Sequence, residues 1–310
     1  MRSPADSIND RGGHIPHGPE FGLGAYTPND ELEQRRINEL FQPPHSRNGE
    51  EIRLLMLDFA RNPNASGLAV DDYQEWCAID WKEPQGTTRS EKRLSDKLIE
   101  EAEELGREID LREAPTPEQQ TRIVDELGDV LWCTTALTND LGRNIKRALM
   151  ARMGIYGQGT RAFSDGSIPD WITFAQKLAF EDRDFTLDKI DQLVDEGYVP
   201  QPSPIFNLDE DDRMEHADLQ DSINYLYINI KLLHSFADRT YGPDNYHTGG
   251  SIKDAWFADS LVAEIYLNSA YMAKKLANSS LLGVVKANVL KLSDRVATKH
   301  IDKSDGERDT

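Results

Sequence analysis

An apolar stripe at helical spacing constrains the fold of this chain most strongly. Leu94, Leu98, Ala102, Leu105 and Ile109 are separated by four, four, three and four residues. This spacing is typical of one face of an α-helix, and it predicts a helix from about residue 90 to 111.

A second helix is predicted directly after this one. The break at Ala114-Pro115 is followed by Thr116-Pro117 and then by Gln119, the arrangement of a capping box with proline at the first helical position. This helix is predicted over 117–141, so the two segments form a helix hairpin. Weaker patterns predict helices at 29–41, 50–61, from 70, and at 171–181, 187–196, 213–238, 254–277 and 280–298. Strand signals are nearly absent, and the predicted fold class is all-α, a bundle built from helix hairpins.

The charge balance excludes several partners. The 310 residues include 35 Lys and Arg against 55 Asp and Glu, a formal net charge of −20. Such a surface repels nucleic-acid backbones and anionic membranes, so neither is expected as a partner. No leader-like or membrane-spanning apolar run is visible. Cys77 and Cys133 are predicted to be buried free thiols, and a cytoplasmic protein is expected.

The two predicted helices carry paired acids. Glu-Glu-x-x-Glu begins at residue 100 and Glu-x-x-Asp begins at residue 126. At 100° per residue, Glu101 and Glu104 lie about 60° and 120° from the apolar face of their helix, and Glu126 and Asp129 about 100° and 160° from theirs. The hairpin can therefore bring these four carboxylates together.

Four converging carboxylates repel one another and raise each other's pKa values. A hard divalent cation removes that conflict, and all-oxygen ligands suit Mg²⁺ or Mn²⁺. The alternative is an ordinary solvated helix face, since acidic pairs at this spacing are common in so acidic a chain.

A basic face is predicted on the last helix. Asn288, Lys291 and Arg295 follow one another at i, i+3 and i+7. A lysine and an arginine on one face can clamp phosphate oxygens. The alternative is an exposed basic face that opposes the acidic remainder of the protein.

Together these segments resemble the all-α NTP pyrophosphatase superfamily, the MazG-like and dimeric dUTPase-like proteins. Val70-Asp71-Asp72-Tyr73-Gln74 is similar to the opening helix of that family, and the two acidic motifs are similar to its metal signature. Asn288-x-x-Lys291-Leu292-x-x-Arg295 is similar to its closing helix.

The resemblance implies hydrolysis of a nucleoside triphosphate to monophosphate and pyrophosphate, in nucleotide-pool house-cleaning. It implies Mg²⁺ as cofactor, with Mn²⁺ possible, and the following ligands: Glu101, Glu104, Glu126 and Asp129. It also implies that Lys291 and Arg295 contact phosphate while Asn288 positions the substrate. The catalytic candidates are Glu100, Glu101 and Glu104, of which Glu100 or Glu104 could accept the proton of the attacking water.

The chain departs from that family in its organisation, because a long interval separates the acidic hairpin from the Lys/Arg helix. The expected division is a tail and short helix at 1–50, a metal-binding half at 51–150, an insertion at 151–212, a second half at 213–300 and a tail at 301–310.

The segment Ala217–Asp221 is similar in sequence to Asp125–Asp129, which suggests an internal duplication. The alternative is an ordinary polar face formed by Glu215, Asp218 and Asp221. A homodimer or an intrachain pseudo-dimer is expected.

Other readings stay open. Six aromatic residues are candidates for base stacking or for the core: Trp76, Trp81, Trp132, Tyr225, Tyr266 and Tyr271.

A di-iron bundle needs Glu-x-x-His pairs, which this sequence lacks. A non-enzymatic alternative is a nucleotide-binding or helical scaffold protein. The sequence lacks the Gly-x-x-x-x-Gly-Lys-Ser/Thr motif, so a nucleotide site built on that type of phosphate-binding loop is not expected.

Overall fold

The computed structural model describes residues 48–81, 88–158, 170–181, 185–200, 219–241 and 252–306. Within these ranges the regular structure is helical apart from one isolated bridge, which confirms the all-α prediction. The described helices are α1 (Gly49–Arg61), α2 (Val70–Asp80), α3 (Thr88–Glu108), α4 (Pro117–Asp140), α5 (Ile145–Gln158), α6 (Asp170–Glu181), α7 (Leu187–Asp195), α8 (Leu219–Tyr241), α9 (Ile252–Ala277) and α10 (Leu281–Gly306).

The predicted hairpin is formed by α3 and α4. Leu94, Leu98, Ala102 and Leu105 are buried along one face of α3, and each large aliphatic side chain removed from water stabilises the fold by about 2 kcal/mol. Both hydrogen bonds of the capping box at Thr116 are present, at 3.3 Å from the Gln119 amide and 2.9 Å to its side chain. The sequence pattern therefore predicts both the turn and the helix that follows it.

A second hairpin, formed by α8 and α9, packs on the first. Helix α3 lies against α8 and α4 lies against α9, so the four helices form a bundle. Residues 258–270 of α9 are buried without interruption, as expected for a helix surrounded by others. The acidic hairpin thus forms one half of a four-helix core.

The outer helices are arranged in the same way around both hairpins. Helix α5 follows the first hairpin but packs on α9, and α10 follows the second hairpin but packs on α4. Helix α2 contacts α4 and α5, whereas α7 contacts α9 and α10. Helix α1 lies between α2 and α10, and α6 lies between α7 and α5. Helices α6 to α10 therefore repeat the packing of α1 to α5 in the same chain order.

A reciprocal backbone contact joins the starts of α2 and α7. The Val70 amide donates to the Phe185 carbonyl at 3.3 Å, and the Leu187 amide donates to the Leu68 carbonyl at 2.9 Å. The two bonds form the isolated antiparallel bridge between Ala69 and Thr186. Equivalent positions, each just before its helix, thus pair with each other.

Helix α5, in the described part of the chain, is not predicted by the sequence pattern. Its buried face includes Ile145, Leu149 and Met153 but also Arg152, and a charged residue in the apolar stripe hides the helical period. The sequence similarity between Ala217–Asp221 and Asp125–Asp129 falls largely outside the described residues. That similarity would align α8 with α4, whereas the packing of the helices aligns α8 with α3. The predicted helix at 29–41 also lies outside the described residues.

Two further expectations concern the cysteines and membranes. Cys77 and Cys133 are buried free thiols, as predicted. Among the described residues, we find no helix with the length and apolar character needed to span a bilayer.

Helix α10 continues to Gly306, beyond the end at 298 that the sequence predicts.

Candidate metal centre and phosphate-binding cavity

Three carboxylates meet between α3 and α4. Glu101 comes from α3, and Glu126 and Asp129 come one turn apart from α4; one oxygen of each lies within 4.8 Å of the others. Helix geometry explains the meeting, because all three flank the packed faces of one antiparallel hairpin. The structure thus brings together three of the four predicted ligands.

The fourth predicted ligand, Glu104, lies outside this group. Its side chain is exposed, because it stands one turn beyond Glu101 and points further from the apolar face. Glu104 is still close enough for its charge to raise the pKa of Glu126. Glu100 is exposed as well, as its position on the far side of α3 predicts.

Glu126 is the carboxylate most affected by its surroundings. Burial, followed by the charges of Asp129, Glu104 and Glu101, raises the pKa of Glu126 to about 7, with a smaller opposing effect from Lys291. Its Oε2 atom is buried and makes no hydrogen bond among the described residues. A buried carboxylate oxygen without a partner, beside two other carboxylates, fits a divalent cation with oxygen ligands.

Two lysines offset part of the negative charge. Lys97 forms an ion pair with Glu101 one turn along α3. Lys291 of α10 lies 2.8 Å from Asp129 Oδ2 and donates to the Asp125 carbonyl at 3.1 Å. The Lys291 ammonium thus binds Asp129, one of the three carboxylates of this group.

Asn288 holds Asp129 from the same helix. Its Nδ2 donates to Asp129 Oδ1 at 2.9 Å, and Asn288 is buried to 1% exposure. The helices approach closely here, since a Cβ at Gly128 would lie 2.8 Å from the Asn288 Cβ. Asn288 and Lys291 therefore fix the orientation of Asp129 between them.

A cavity of about 390 Å³ opens beside the carboxylates. Glu101 and Asp129 form part of its wall, and three cationic side chains line it: Arg93, Lys97 and Arg295. Carboxylates and cations in one cavity are the chemistry required to hold a metal ion and the phosphate oxygens of a ligand. Of the three residues of the predicted basic face, Arg295 lines this cavity.

Two tryptophans also line the cavity. Trp81 and Trp132 are in edge-to-face contact with ring centroids 5.8 Å apart, and the Arg93 guanidinium lies 5.9 Å from the Trp81 ring. The Trp81 indole N–H donates to Ser90 Oγ at 2.7 Å. Of the six aromatic candidates, these two line the cavity, while Trp76 and Tyr266 are buried in the core.

Arg93 and Lys97 line the cavity but are not among the site residues predicted from the sequence. Both belong to α3, eight and four residues before Glu101, so they repeat on the face that carries this carboxylate. This spacing of four residues could have indicated that both cations lie beside Glu101. Basic residues on an amphipathic helix usually face solvent, however, so the spacing alone does not distinguish a binding site from an ordinary exposed face.

The chain matches one family model, described as the MazG nucleotide pyrophosphohydrolase domain, over residues 89–150. The match spans nearly all of α3, all of α4 and the start of α5, and it includes the three carboxylates. No curated protein and no solved structure matches the chain. Residues 89–150 thus carry a MazG-type domain, and the resemblance to the all-α NTP pyrophosphatase superfamily is confirmed for this part of the chain.

Proposed function

We propose that this protein is a Mg²⁺-dependent nucleoside triphosphate pyrophosphohydrolase, which cleaves (d)NTPs to monophosphate and pyrophosphate in nucleotide-pool house-cleaning. The observation that carries the proposal is the group of three carboxylates, two of which, Glu101 and Asp129, line a cavity together with three cationic side chains. The family match to a nucleotide pyrophosphohydrolase domain covers the same helices.

Glu101, Glu126 and Asp129 would hold the metal ion, with Glu104 as a further ligand or neighbour. A bound Mg²⁺ would polarise phosphate oxygens and lower the pKa of a coordinated water molecule. Mn²⁺ has the same preference for oxygen ligands and could replace it. The unpartnered Oε2 of Glu126 supports this assignment.

The cations of the cavity would bind the polyphosphate. Arg93 and Arg295 offer planar guanidinium groups that can bind two phosphate oxygens each, and Lys97 offers a point charge. Lys291 and Asn288, which both contact Asp129, would keep that carboxylate oriented. Trp81 and Trp132 provide apolar surface at which a nucleobase could stack.

Among the catalytic candidates, Glu104 is better placed than Glu100 to receive a proton from the attacking water. Its charge acts on Glu126, so it lies near the metal-site carboxylates, and its exposed position allows the proton to pass to solvent. The water oxygen would form a bond to the α-phosphorus while the bond from that phosphorus to the bridging oxygen breaks. Pyrophosphate would leave with the electron pair.

The cellular setting belongs to the same proposal. Buried free thiols at Cys77 and Cys133 agree with a reducing compartment such as the cytoplasm. The substrate partner is a nucleoside triphosphate. The formal net charge of −20 disfavours contact with nucleic-acid backbones, so no nucleic-acid partner is proposed.

A turnover screen tests the function. Purified full-length protein would be incubated with canonical and modified (d)NTPs and Mg²⁺ or Mn²⁺, and products would be separated as monophosphate plus pyrophosphate or diphosphate plus phosphate. We expect the first pair, with Glu101→Gln and Asp129→Asn reducing kcat by at least about 10²-fold. Glu103→Gln, an exposed acid on the same helix, is the matched control and should retain activity.

Two outcomes would reject the proposal. Full pyrophosphate release by Asp129→Asn would remove the metal site from the mechanism. Tight binding of Mg²⁺-nucleotide without turnover of any substrate would favour the alternative of a nucleotide-binding scaffold protein.

A further inference from the structure

The two halves of the chain can be compared residue by residue in their last helices. Over residues 145–154 of α5, the buried residues are Ile145, Ala148, Leu149, Arg152 and Met153. At the same spacing, α10 buries Leu281, Val284, Val285, Asn288 and Val289, and it buries Leu282 in addition. This register makes Arg152 the counterpart of Asn288.

The N-terminal caps of the same helices give that register independently. The Gln74 side chain of α2 accepts from the Ile145 amide at 2.9 Å. In the second half, the Asp191 carboxylate of α7 accepts from the Leu281 amide at 2.6 Å. Gln74 and Asp191 occupy the same position in their helices, four residues after the first residue of each.

The ends of α4 and α9 fix the register of the second helices in each hairpin. Gly142 and Asn278, each three residues before the following helix, both have positive φ, at 63° and 48°. The next amides, of Arg143 and Ser279, donate back to Thr138 and Ala273. The first of these bonds spans five residues and the second spans six, so α9 contains one more residue than α4 between the carbonyl and the residue with positive φ. Counted from the two carbonyls, Asp129 in α4 and Glu264 in α9 both lie nine residues earlier. Their contacts with the corresponding residues Asn288 and Arg152 support the same alignment.

The corresponding residues are in contact in both halves. Asn288 of α10 binds Asp129 of α4, and Arg152 of α5 forms an ion pair with Glu264 of α9. The second pair is deeply buried, with side-chain exposures of 4% and 0%. The Tyr198 hydroxyl lies 3.4 Å from the other Glu264 oxygen.

The second half lacks the remainder of the acidic group. Three residues before Glu264, at the position of Glu126, stands Leu261, which is fully buried. Among the described residues, one group of three carboxylates could hold a metal ion, and it lies in the first half. One carboxylate and one guanidinium thus replace a cluster of carboxylates.

We propose that Arg152 and Glu264 occupy the place of a second metal centre, in which a fixed guanidinium has replaced the cation. The chain is then an internal duplication of α1 to α5, and its second half begins with α6. This inference rests on the proposed metal centre of the first half. It implies that the chain carries one metal centre, whose carboxylates come from the first half and whose Asn288, Lys291 and Arg295 come from the second.

The electrostatics explain why such a replacement is stable. A buried carboxylate needs a countercharge and hydrogen bonds, which a metal ion or an arginine can supply. The arginine supplies them permanently, so Glu264 needs no free ligand. One chain thereby contains both copies that a symmetric dimer of a five-helix unit would supply from two chains.

The location of bound Mn²⁺ tests this inference in the unaltered protein. In crystals of the full chain soaked in Mn²⁺, anomalous scattering should show a peak at Asp129 and none at Glu264. A peak at Glu264 would overturn the inference, whatever the activity of the protein. An absent peak at Asp129 would reject the first centre and with it this inference.

A gain-of-site variant distinguishes the inference from the proposed function. Asp129→Asn should abolish Mn²⁺ binding as measured by electron paramagnetic resonance. Adding Arg152→Asn and Leu261→Glu to Asp129→Asn should restore Mn²⁺ binding through the second half, without restoring pyrophosphate release. A folded triple variant that binds no Mn²⁺ would contradict the inference even if the wild type is a pyrophosphohydrolase.

Glu264→Gln provides the second measurement if the triple variant does not fold. It should lower the unfolding temperature, because Arg152 loses its countercharge, while the Mn²⁺ bound by the wild-type centre stays unchanged. A lower Mn²⁺ count in folded Glu264→Gln would overturn the inference.

Discussion

Asn288 Nδ2 donates to Asp129 Oδ1 at 2.9 Å, joining α10 to α4 across 159 positions of the chain. The bond exists because Gly128 lets the two helices approach closely, with no room for a Cβ beside Asn288. The orientation of the Asp129 carboxylate therefore depends on a glycine that has no side chain of its own.

The substitution Gly128→Ala should destabilise the protein by about 1–3 kcal/mol, because the added methyl group forces α10 away from α4. Denaturant unfolding measures this change, and weaker Mn²⁺ binding should accompany it. The matched control is Gly106→Ala in α3, where nothing lies within 4 Å of the added Cβ. That change should be neutral or stabilising by up to about 1 kcal/mol; equal losses in both variants would contradict the packing argument.

Glu126→Gln should stabilise the metal-free protein and abolish its response to Mg²⁺. The pKa of Glu126 is about 7 in the folded state against an ordinary value of 4.5. The folded state thus holds the proton more tightly, and stability is lost as pH rises through 7. At pH 8 the variant should unfold about 2–4 °C higher than wild type, about 1 kcal/mol after allowance for solvent screening.

Thermal unfolding with and without Mg²⁺ at pH 5 and pH 8 checks this expectation. The advantage of Glu126→Gln should nearly vanish at pH 5, where wild-type Glu126 is protonated. An equal Mg²⁺-dependent rise in unfolding temperature for both proteins would show that Glu126 is not a ligand.

Lys97→Ala should raise KM for the nucleotide about tenfold or more, because a charged hydrogen bond contributes about 1.5–3 kcal/mol. Lys97 lines the cavity beside Glu101, whereas Lys92 on the same helix is exposed and is absent from the cavity lining. Steady-state kinetics of Lys97→Ala and Lys92→Ala provide the comparison. An unchanged KM in Lys97→Ala would remove it from the phosphate site.

Asp191→Asn should change the pH dependence of stability. Burial raises the pKa of Asp191 to about 6 from 3.8, against the opposing effect of the Leu281 and Leu282 amides. The wild type should therefore lose stability relative to the variant as pH rises from about 4 to above 6, by at most about 3 kcal/mol. Chemical unfolding at pH 4, 5, 6 and 7 measures the difference, and a constant difference would refute this pKa.

The local features of the acidic hairpin could be predicted because short-range physics produces them. The stripe from Leu94 to Ile109 specifies which face of α3 is buried, and Thr116 with Gln119 specifies where α4 begins. With both helices placed, the carboxylates of Glu101, Glu126 and Asp129 had to face a common space. Glu104 lies about 120° from the apolar face of α3, against about 60° for Glu101, and its side chain is exposed outside the group.

Long-range packing decided the rest. The periodicity of the sequence does not indicate that α10 packs against α4. The hydrogen bond between Asn288 and Asp129 was therefore visible only in the tertiary structure. Arg152 prevented the prediction of α5, because a charged residue interrupts the apolar stripe of that helix. Its burial is explained by the ion pair with Glu264, a contact that only the tertiary structure shows. The sequence by itself determined the helices and the acidic motif, since these depend on neighbours within one or two turns. Only the tertiary structure decided that Asn288 and Lys291 of α10 contact the carboxylate group between α3 and α4, because such contacts depend on which side chains a distant helix brings to that group.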